Sequence, residues 1–320
     1  MKKIALEEHF ITPDFLPLTE QVDFVAMNQV NRADFKARLL DFHDMRLKEM
    51  DKAGIELAVL SLTDPGVQGE KDAVKATKLA STVNDFLAER VAENPQRFRG
   101  FAQIALQNPK EAVKELERAV LDLHFVGVLV NGQTNGHYLD EEQFYPLWEK
   151  LEELKVPLYL HPGSPYQSAQ SYNGHPELNG PFWGWTAETA THALRLITSA
   201  TFDHFPSAKV ILGHMGETLP YLAWRFDSRW KILQHSKQLK KQPSQYLRDN
   251  ICVTTSGMCS NGSLLCAIHE IGEDNVLFSV DYPYESSAIA SEFIQKAPLS
   301  DIQREKVAYK NAARILQLSL

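Results

Sequence analysis

Short apolar runs alternate with longer amphipathic segments along most of the chain. The runs hold four to six residues, are rich in Val, Ile and Leu, and are typical of strands buried on both faces of a parallel sheet. Each run is followed by a segment long enough for a crossover helix, so the pattern predicts βα units. We predict strands at Lys3–Leu6, Leu57–Leu62, Gly100–Ile104, Gly127–Val130, Val156–His161, Lys209–Leu212, Ile251–Thr255 and Val276–Val280.

The segments between these strands carry apolar residues at helical spacing. Asn108 is a good N-cap and Pro109 suits a first helical turn, so one helix is predicted to begin there. Strands and helices that alternate in this way favour a closed (β/α)₈ TIM barrel, of the α/β class, over an open sheet. We find no repeat or shift in composition and predict one domain over residues 1–320. The predicted helices are Leu39–Ala53, Asp72–Asn94, Pro109–Leu123, Gln143–Leu154, Thr186–Phe202, Thr218–Ser236, Ser263–Ile271, Ala288–Lys296 and about Asp301–Leu316.

Two stretches are too irregular to belong to the barrel itself. Residues 12–32 follow the first strand, and residues 162–185 follow the fifth strand and are rich in Pro, Gly, Ser and Asn. Because both come directly after a strand, we expect them at the carboxyl-terminal face, where barrel active sites are built. We interpret them as insertions that form a pocket wall or lid.

Composition narrows the class of protein. A net charge of −8 argues against a nucleic-acid surface, because phosphate binding needs clustered Lys and Arg. No apolar stretch approaches the roughly 20 residues that span a membrane, so no membrane partner is expected. Only three apolar residues separate Lys3 from Glu7, too few for a signal peptide. Three cysteines without CxxC spacing, Cys252, Cys259 and Cys266, fit a reducing cytoplasm.

Side chains of the metal-binding type close several of the predicted strands. Glu7 and His9 lie two residues apart at the end of the first strand, so they point to the same face. His161 ends the fifth strand, and His214 and Asp281 follow the sixth and eighth strands. Any one of them alone is more often an ordinary hydrogen-bonded side chain. Their joint placement around one barrel mouth favours a single divalent metal ion, Zn²⁺ or Mn²⁺, in a catalytic site with open positions.

Longer phrases around these residues carry a family resemblance. They are ALEEHF from Ala5, YLHP from Tyr159, ILGHMGE from Ile211, TTSG from Thr254 and LFSVDYPYE from Leu277. With these phrases the chain resembles the amidohydrolase superfamily, and within it the ortho-hydroxybenzoate decarboxylases, over nearly its whole length. Glu-x-His on the first strand, in place of the commoner His-x-His, is the more diagnostic part.

The resemblance implies a metal-dependent, non-oxidative decarboxylase that protonates a ring carbon and releases CO₂, in a reaction that can run in reverse. The implied substrate is a small aromatic carboxylic acid, such as 2,6- or 2,3-dihydroxybenzoate. It also implies a homodimer or homotetramer, and places His214 near the metal and substrate with Glu217 and Arg225 behind it. The metal ligands implied by the resemblance are Glu7, His9, His161 and Asp281.

Decarboxylation by ring protonation needs an acid beside the ring. Asp281 is our first candidate, because Glu7 and a bound carboxylate would raise its pKa while the metal would oppose that shift. His214 is the second candidate, as a proton shuttle or by stabilising the acid. Glu217 lies three residues beyond His214 and would fix its tautomer; a helix N-terminal carboxylate is the compatible alternative.

Three further side chains are candidates for substrate contacts. Asn131 would donate to a second ring hydroxyl, with a turn residue as the alternative role. Trp183, in the segment after the fifth strand, would stack on an aromatic ring, with packing between loops or subunits as the alternative. Arg225 would hold a carboxylate, with an ordinary surface ion pair as the alternative.

Two other functions stay open at this point. A metal-dependent hydrolase or hydratase would attack a small cyclic or aromatic acid with metal-bound water, using Asp281 as the base. A barrel without catalytic activity would use the pocket for binding. A missing metal-ligand position would favour that interpretation, and no such position is missing. The product distinguishes the first alternative: CO₂ and a phenol, or an opened ester, amide or ring.

Overall fold

In the part of the chain that the structure describes, eight parallel strands form the centre of the fold. The computed structural model describes residues 1–19 and 29–319. The strands run in order in two hydrogen-bonded ribbons, β1 to β3 and β4 to β8. Parallel bridges between Ala102 and Val128, and between Glu8 and Tyr282, join the ribbons at both edges. The predicted barrel is confirmed, with strands β1 (Ile4–Phe10), β2 (Leu57–Leu62), β3 (Phe98–Gly100), β4 (Val128–Asn131), β5 (Leu158–His161), β6 (Val210–Leu212), β7 (Ile251–Thr254) and β8 (Val276–Leu277).

Helices follow the strands and cover the outside of the barrel. None of those in the described part of the chain is long and apolar enough to cross a membrane. A π-helical turn, Lys306–Lys310, separates the last two. The α-helices are α1 (Leu16–Thr19), α2 (Gln29–Leu40), α3 (Met45–Ala53), α4 (Ala73–Glu93), α5 (Pro109–Leu121), α6 (Tyr145–Leu154), α7 (Gly184–Thr198), α8 (Thr201–His204), α9 (His214–Glu217), α10 (Leu219–Trp230), α11 (Pro243–Asn250), α12 (Asn261–Ile271), α13 (Ser287–Lys296), α14 (Asp301–Glu305) and α15 (Asn311–Ile315).

Local hydrogen bonds move two of the predicted boundaries, and one helix was not predicted. The segment Leu39–Ala53 is two helices, because the Asp41 carboxylate accepts hydrogen bonds from the backbone N–H groups of Asp44 and Arg46 at 3.2 and 2.8 Å. The third strand lies earlier than predicted. Asn84 bonds both backbone groups of Gln103 at 2.8 Å, which takes that residue out of the ladder. Helix α11 follows a polar segment and was not predicted.

Both irregular segments follow a strand at the barrel mouth. Of residues 12–32, positions 20–28 lie outside the described residues. Residues 162–185 contain two short 3₁₀ turns, Gln170–Tyr172 and Pro176–Leu178, before α7 begins. The one-domain assignment and the pocket-wall role of both segments stay predictions.

The interior of the barrel is a separate apolar cluster from the layer between strands and helices. Side chains of α15 and the residue after it, from Ala312 to Leu316, pack against the lower strand residues and close the barrel from below. The part of the barrel interior between this cluster and the mouth is therefore available to polar side chains. The strand residues in this cluster are Ile4, Leu6, Val59, Phe101, Leu129, Tyr159, Ile211, Cys252 and Leu277.

An irregularity in β1 directs polar side chains into the mouth. Ala5 pairs with Ala58 but Glu8 pairs with Leu60, so β1 contains one more residue than β2 over this interval. A bulge of this kind re-aims the side chains that follow it. Leu6 therefore packs in the interior cluster while its neighbour Glu7 also reaches the interior.

Buried His192 on α7 makes a pH-dependent contribution to stability. Its Nε2 accepts a hydrogen bond from the Leu139 N–H at 2.9 Å. Burial, with Arg195 adding to it, lowers the pKa of His192 to about 3 from 6.5. Between pH 6.5 and about 3, the folded protein thus binds fewer protons at His192 than the unfolded chain does. The contribution of His192 to stability is therefore present above pH 6.5 and is lost as the pH falls.

We therefore expect His192→Gln to flatten the fall in unfolding free energy between pH 6.5 and 5. The difference in slope should approach one proton, about 1.4 kcal/mol per pH unit. Urea unfolding at several pH values measures it. His175→Gln, at an exposed position, is the control and should keep the wild-type slope. Equal slopes for all three proteins would contradict the prediction.

Candidate metal centre and active site

Four polar side chains from three parts of the barrel meet at its mouth. Glu7 and His9 come from β1, His161 ends β5, and Asp281 follows β8. Each offers one ligand atom, and these atoms all lie within 4.8 Å of one another. Backbone bonds fix the two ends of the group together, because Asp281 N–H donates to Glu7 O at 3.1 Å and His9 N–H donates to Tyr282 O at 2.7 Å. The structure thus brings the four predicted side chains together in one group.

The group has the donor set and the unmet bonding capacity that a divalent ion requires. His9 Nε2 lies 3.2 Å from Asp281 Oδ1, and His161 Nε2 lies 3.2 Å from Glu7 Oε1. Glu7 Oε1 and His9 Nε2 are buried without a hydrogen-bond partner. Buried polar atoms are rarely left unpaired, so these atoms point to a cation between them. Two carboxylates and two imidazoles suit Zn²⁺ or Mn²⁺.

The outer nitrogens of both imidazoles are already occupied. His161 Nδ1 donates to the Pro162 carbonyl at 2.8 Å, which leaves Nε2 as the nitrogen that faces the group. His9 Nδ1 lies 3.2 Å from Ser61 Oγ. Contacts of this type fix ring orientation and tautomer in metal-binding histidines. The histidines are therefore held ready for ligation by groups behind them.

The Glu7 carboxylate is completely buried and is supported by residues that sequence analysis missed. The Tyr159 hydroxyl donates to Glu7 Oε2 and lies 3.0 Å from Thr254 Oγ1. Gly213 leaves the space for it, since a Cβ at that position would lie 2.7 Å from Glu7 Oε2. Tyr159 precedes His161 by two residues on β5, so strand alternation was the signal that could have found it.

His214 and Glu217 lie on an unusual turn beside this group. Every residue from His214 to Thr218 has a positive φ, between 49 and 77°. Non-glycine residues rarely adopt this conformation, and such strain concentrates at functional sites. The turn places His214 Nδ1 2.7 Å from Glu217 Oε1, and His214 Nε2 3.6 Å from Asp281 Oδ2. The Glu217 carboxylate thus contacts the His214 ring from within a left-handed turn.

Charge interactions set the protonation states of the centre. Burial raises the pKa of Glu7, but His214 and His161 outweigh it and bring that pKa to about 2. The pKa of Asp281 lies below its ordinary value, because His214 and His9 outweigh burial; our expectation of a raised pKa is not met in the protein alone. Burial lowers the pKa of His214, yet Glu217 and Glu7 raise it well above 6.5.

The Glu8 side chain points away from the metal group and bonds to the segment that carries Asp281. Its carboxylate accepts from the Val280 N–H at 3.1 Å, and burial raises its pKa to about 8. Buried Arg46 donates to the His9 carbonyl at 2.5 Å and lies 4.5 Å from the centre of the Tyr282 ring. These side chains tie β1 to the segment after β8, which carries Asp281.

The centre opens into a cavity of about 390 Å³. Seven of its sixteen lining side chains are aromatic or apolar, and residues 162–185 contribute four of these seven. Its position suits a small aromatic ligand. The lining residues are Phe35, Thr63, Asp64, His161, Pro162, Pro181, Phe182, Trp185, Thr186, His214, Glu217, Gly257, Met258, Asp281, Tyr284 and Glu285.

The three predicted substrate contacts lie outside this lining. The Asn131 amide packs against the turn after β2, where a Cβ on Gly66 would lie 2.1 Å from its Nδ2. Arg225 is exposed on α10. Trp183 is 45% exposed, whereas its neighbours Phe182 and Trp185 line the cavity. Their role in substrate binding therefore stays a prediction.

Comparison with known proteins points to one group of enzymes. The sequence profile of an amidohydrolase family, Amidohydro_2, matches residues 22–318. A γ-resorcylate decarboxylase of Polaromonas sp. strain JS666 is 43% identical over 326 residues, which cover 99% of both chains. A crystal structure of 2,6-dihydroxybenzoate decarboxylase complexed with 2,6-dihydroxybenzoate has a TM-score of 0.94 at 42% identity, covering 99% of this chain and 100% of that chain.

A second solved structure bears on the metal. A dihydroxybenzoic acid decarboxylase from Polaromonas sp. JS666, with bound manganese and the inhibitor 2-nitroresorcinol, has a TM-score of 0.92 at 42% identity. The alignment covers 99% of this chain and 97% of that chain. A manganese-binding structure is thus similar to this chain throughout.

We expect Tyr159→Phe to weaken Mn²⁺ binding by about 10- to 100-fold, because Glu7 loses a hydrogen bond that orients its carboxylate. Calorimetric titration of the metal-free protein with Mn²⁺ measures the affinity. Tyr246→Phe is a matched control, since its hydroxyl donates to another carboxylate, Asp203, at 2.6 Å. Equal Mn²⁺ affinities for wild type and Tyr159→Phe would exclude this role.

Proposed function

This chain belongs to the amidohydrolase family, and we propose that it is a metal-dependent, non-oxidative decarboxylase of ortho-hydroxybenzoates, with γ-resorcylate (2,6-dihydroxybenzoate) as its substrate. The observation that carries the proposal is a four-ligand metal group open to an aromatic-walled cavity. Full-length similarity to γ-resorcylate decarboxylases supports the reaction and the substrate.

We propose Mn²⁺ as the metal, held by Glu7, His9, His161 and Asp281. Two carboxylates provide the oxygen ligands that Mn²⁺ prefers over a nitrogen- or sulfur-rich set. Manganese in the similar dihydroxybenzoic acid decarboxylase supports this choice, with Zn²⁺ as the competing ion. When bound, a divalent ion supplies Lewis-acid stabilisation of a phenolate and orients the ortho-hydroxybenzoate.

Asp281 is the proposed proton donor. A proton adds to the ring carbon that bears the carboxylate. The bond between that ring carbon and the carboxylate carbon then breaks, its electron pair returns to the ring, and CO₂ leaves. Asp281 lines the cavity, and His214 Nε2 lies 3.6 Å from its Oδ2. His214, held by Glu217, then delivers a proton to Asp281 so that the next cycle can begin.

His214 also balances the negative charge of the substrate carboxylate. No Lys or Arg lines the cavity among the residues that the structure describes. The raised pKa of His214 makes it the cationic side chain available to a substrate carboxylate. The aromatic walls from Phe35, Phe182, Trp185 and Tyr284 pack against the ring and exclude water from it.

We also propose a homodimer or homotetramer in the cytoplasm. Tyr221 and Trp224 on α10 are 80 and 77% exposed, and Phe182 is 77% exposed. Exposed aromatic side chains of this size are typical of subunit interfaces. The three cysteines are free, which suits a reducing compartment. Sedimentation equilibrium tests the assembly, and a monomer would contradict it.

We expect the Mn²⁺-loaded protein to convert 2,6-dihydroxybenzoate to resorcinol and CO₂. Chelator treatment should abolish the reaction and added Mn²⁺ should restore it, because the metal ion supplies the Lewis acid that stabilises the phenolate. Chromatography of the phenol measures turnover, with 2,3-dihydroxybenzoate and salicylate as comparison substrates. Failure to convert any of them, with metal shown to be bound, would contradict the proposal and favour a hydrolase or hydratase.

We expect Asp281→Asn to lower kcat by about 10²- to 10⁴-fold, the usual contribution of a positioned acid. The amide keeps the size of the side chain and can still face the metal, so 2-nitroresorcinol should still bind at saturating Mn²⁺. Steady-state kinetics and inhibitor titration measure the two effects separately. Unchanged turnover would remove Asp281 from proton transfer.

A further inference from the structure

Among the residues that the structure describes, one acidic side chain in the cavity is buried without a partner. The lining holds four carboxylate side chains. Asp281 belongs to the metal group, Glu217 is held by His214, and Glu285 is exposed to solvent. Asp64 is only 6% exposed, and within the described residues its carboxylate has no hydrogen-bond or ion-pair partner.

The groups closest in sequence do not provide a partner for Asp64. The Thr63 hydroxyl is hydrogen-bonded to the Tyr284 hydroxyl at 2.6 Å. Burial raises the pKa of Asp64 to about 6, with the charge of His161 opposing that shift. A carboxylate that is removed from water without a partner costs several kcal/mol. Water can hydrate Asp64 in an open cavity, but an aromatic ligand that fills the cavity displaces it.

The turn that carries Asp64 is held in place by its surroundings. Thr63 N–H donates to the Phe10 carbonyl on β1 at 3.0 Å, and Gly66 N–H donates to the Thr63 carbonyl at 2.9 Å. Gly66 has a φ of 60°, and a side chain there would collide with the Asn131 amide. Gln68 donates to the Ile104 carbonyl at 2.9 Å. Because the turn is anchored on three sides, Asp64 cannot readily leave the cavity to find solvent.

We propose that Asp64 determines substrate specificity by accepting a hydrogen bond from an O–H or N–H substituent on the aromatic ring, separate from the groups that face the metal centre. This inference rests on the proposed function and adds a subsite to it. The substrate class is then an ortho-hydroxybenzoate with a further donor on its ring. A site with a buried acceptor rejects an analogue that lacks the donor, because the acceptor would be left unpaired.

The test compares ligands that differ in one donor. 2-Nitroresorcinol has a second hydroxyl, 3-methoxy-2-nitrophenol has an ether in its place, and 3-amino-2-nitrophenol has an amine. Calorimetric titration of the Mn²⁺-loaded protein gives their dissociation constants without turnover. We expect wild type to bind the hydroxyl or the amine ligand, or both, about tenfold or more tightly than the ether, and the better of the two identifies the donor type.

Two Asp64 variants and one control then assign that preference. Asp64→Asn should lower the preference for the donor ligand over the ether by about tenfold, because the amide can donate to the ether oxygen. Asp64→Ala should bring the affinities for the three ligands close together. Glu285→Gln, the matched control at the other non-ligand acid, should keep the wild-type preference. An unchanged preference in Asp64→Asn and Asp64→Ala, or its loss in Glu285→Gln, would overturn the proposal.

The same measurements separate this proposal from the proposed function. If the protein decarboxylates no benzoate but its donor preference depends on Asp64, the subsite is supported and the proposed decarboxylation is contradicted. Decarboxylation of γ-resorcylate with a preference independent of Asp64 would do the reverse. If the Mn²⁺-loaded protein binds none of the three ligands, the subsite proposal fails, and turnover of γ-resorcylate decides the proposed function by itself.

Discussion

The burial of the Glu7 carboxylate at the barrel mouth is the constraint on which the site depends. Removing an ionised carboxylate from water costs several kcal/mol unless charges and hydrogen bonds replace the water. The Tyr159 hydroxyl, His161 and His214 supply them, and the missing side chain of Gly213 leaves the room. Glu7 Oε1 still lacks a hydrogen bond. A buried carboxylate with one oxygen hydrogen-bonded and the other facing two imidazole nitrogens is arranged for a cation.

Strand β1 connects this centre to the scaffold through its two faces. Glu7 and His9 face the mouth, while Glu8 faces the segment after β8 and accepts from the Val280 N–H. Arg46 fixes the same strand by donating to the His9 carbonyl. The distance between the ligands of β1 and Asp281 is therefore set by backbone pairing and by a buried polar network. A ligand group on rigid strands can keep its geometry while the pocket walls differ among relatives.

The cavity divides between a metal-facing end and a wall that contacts the rest of the ring. His214, held by Glu217 on a left-handed turn, lies between them and reaches both Glu7 and Asp281 at 4.0 and 3.6 Å. Aromatic side chains bind any flat ring of suitable size with little discrimination. A buried acceptor such as Asp64 discriminates strongly, because a ligand without a donor leaves it unpaired. Reaction class and ring selectivity thus come from different residues of one cavity.

From the sequence alone, the barrel and five ligand-type side chains at its mouth could be predicted. Strand alternation fixes which side chains share a face, and parallel closure brings the carboxyl ends of all strands together, so Glu7, His9, His161, His214 and Asp281 could be placed at one mouth without coordinates. The family resemblance then implied Glu7, His9, His161 and Asp281 as the metal ligands. Which other side chains reach the cavity was set by the tertiary structure. Asn131 packs against Gly66, Trp183 and Arg225 lie outside the lining, and Tyr159 and Asp64 contact or face the centre instead. Those positions depend on strand register, turn conformation and loop path, which are set by contacts between residues far apart in the chain and leave no local pattern in the sequence.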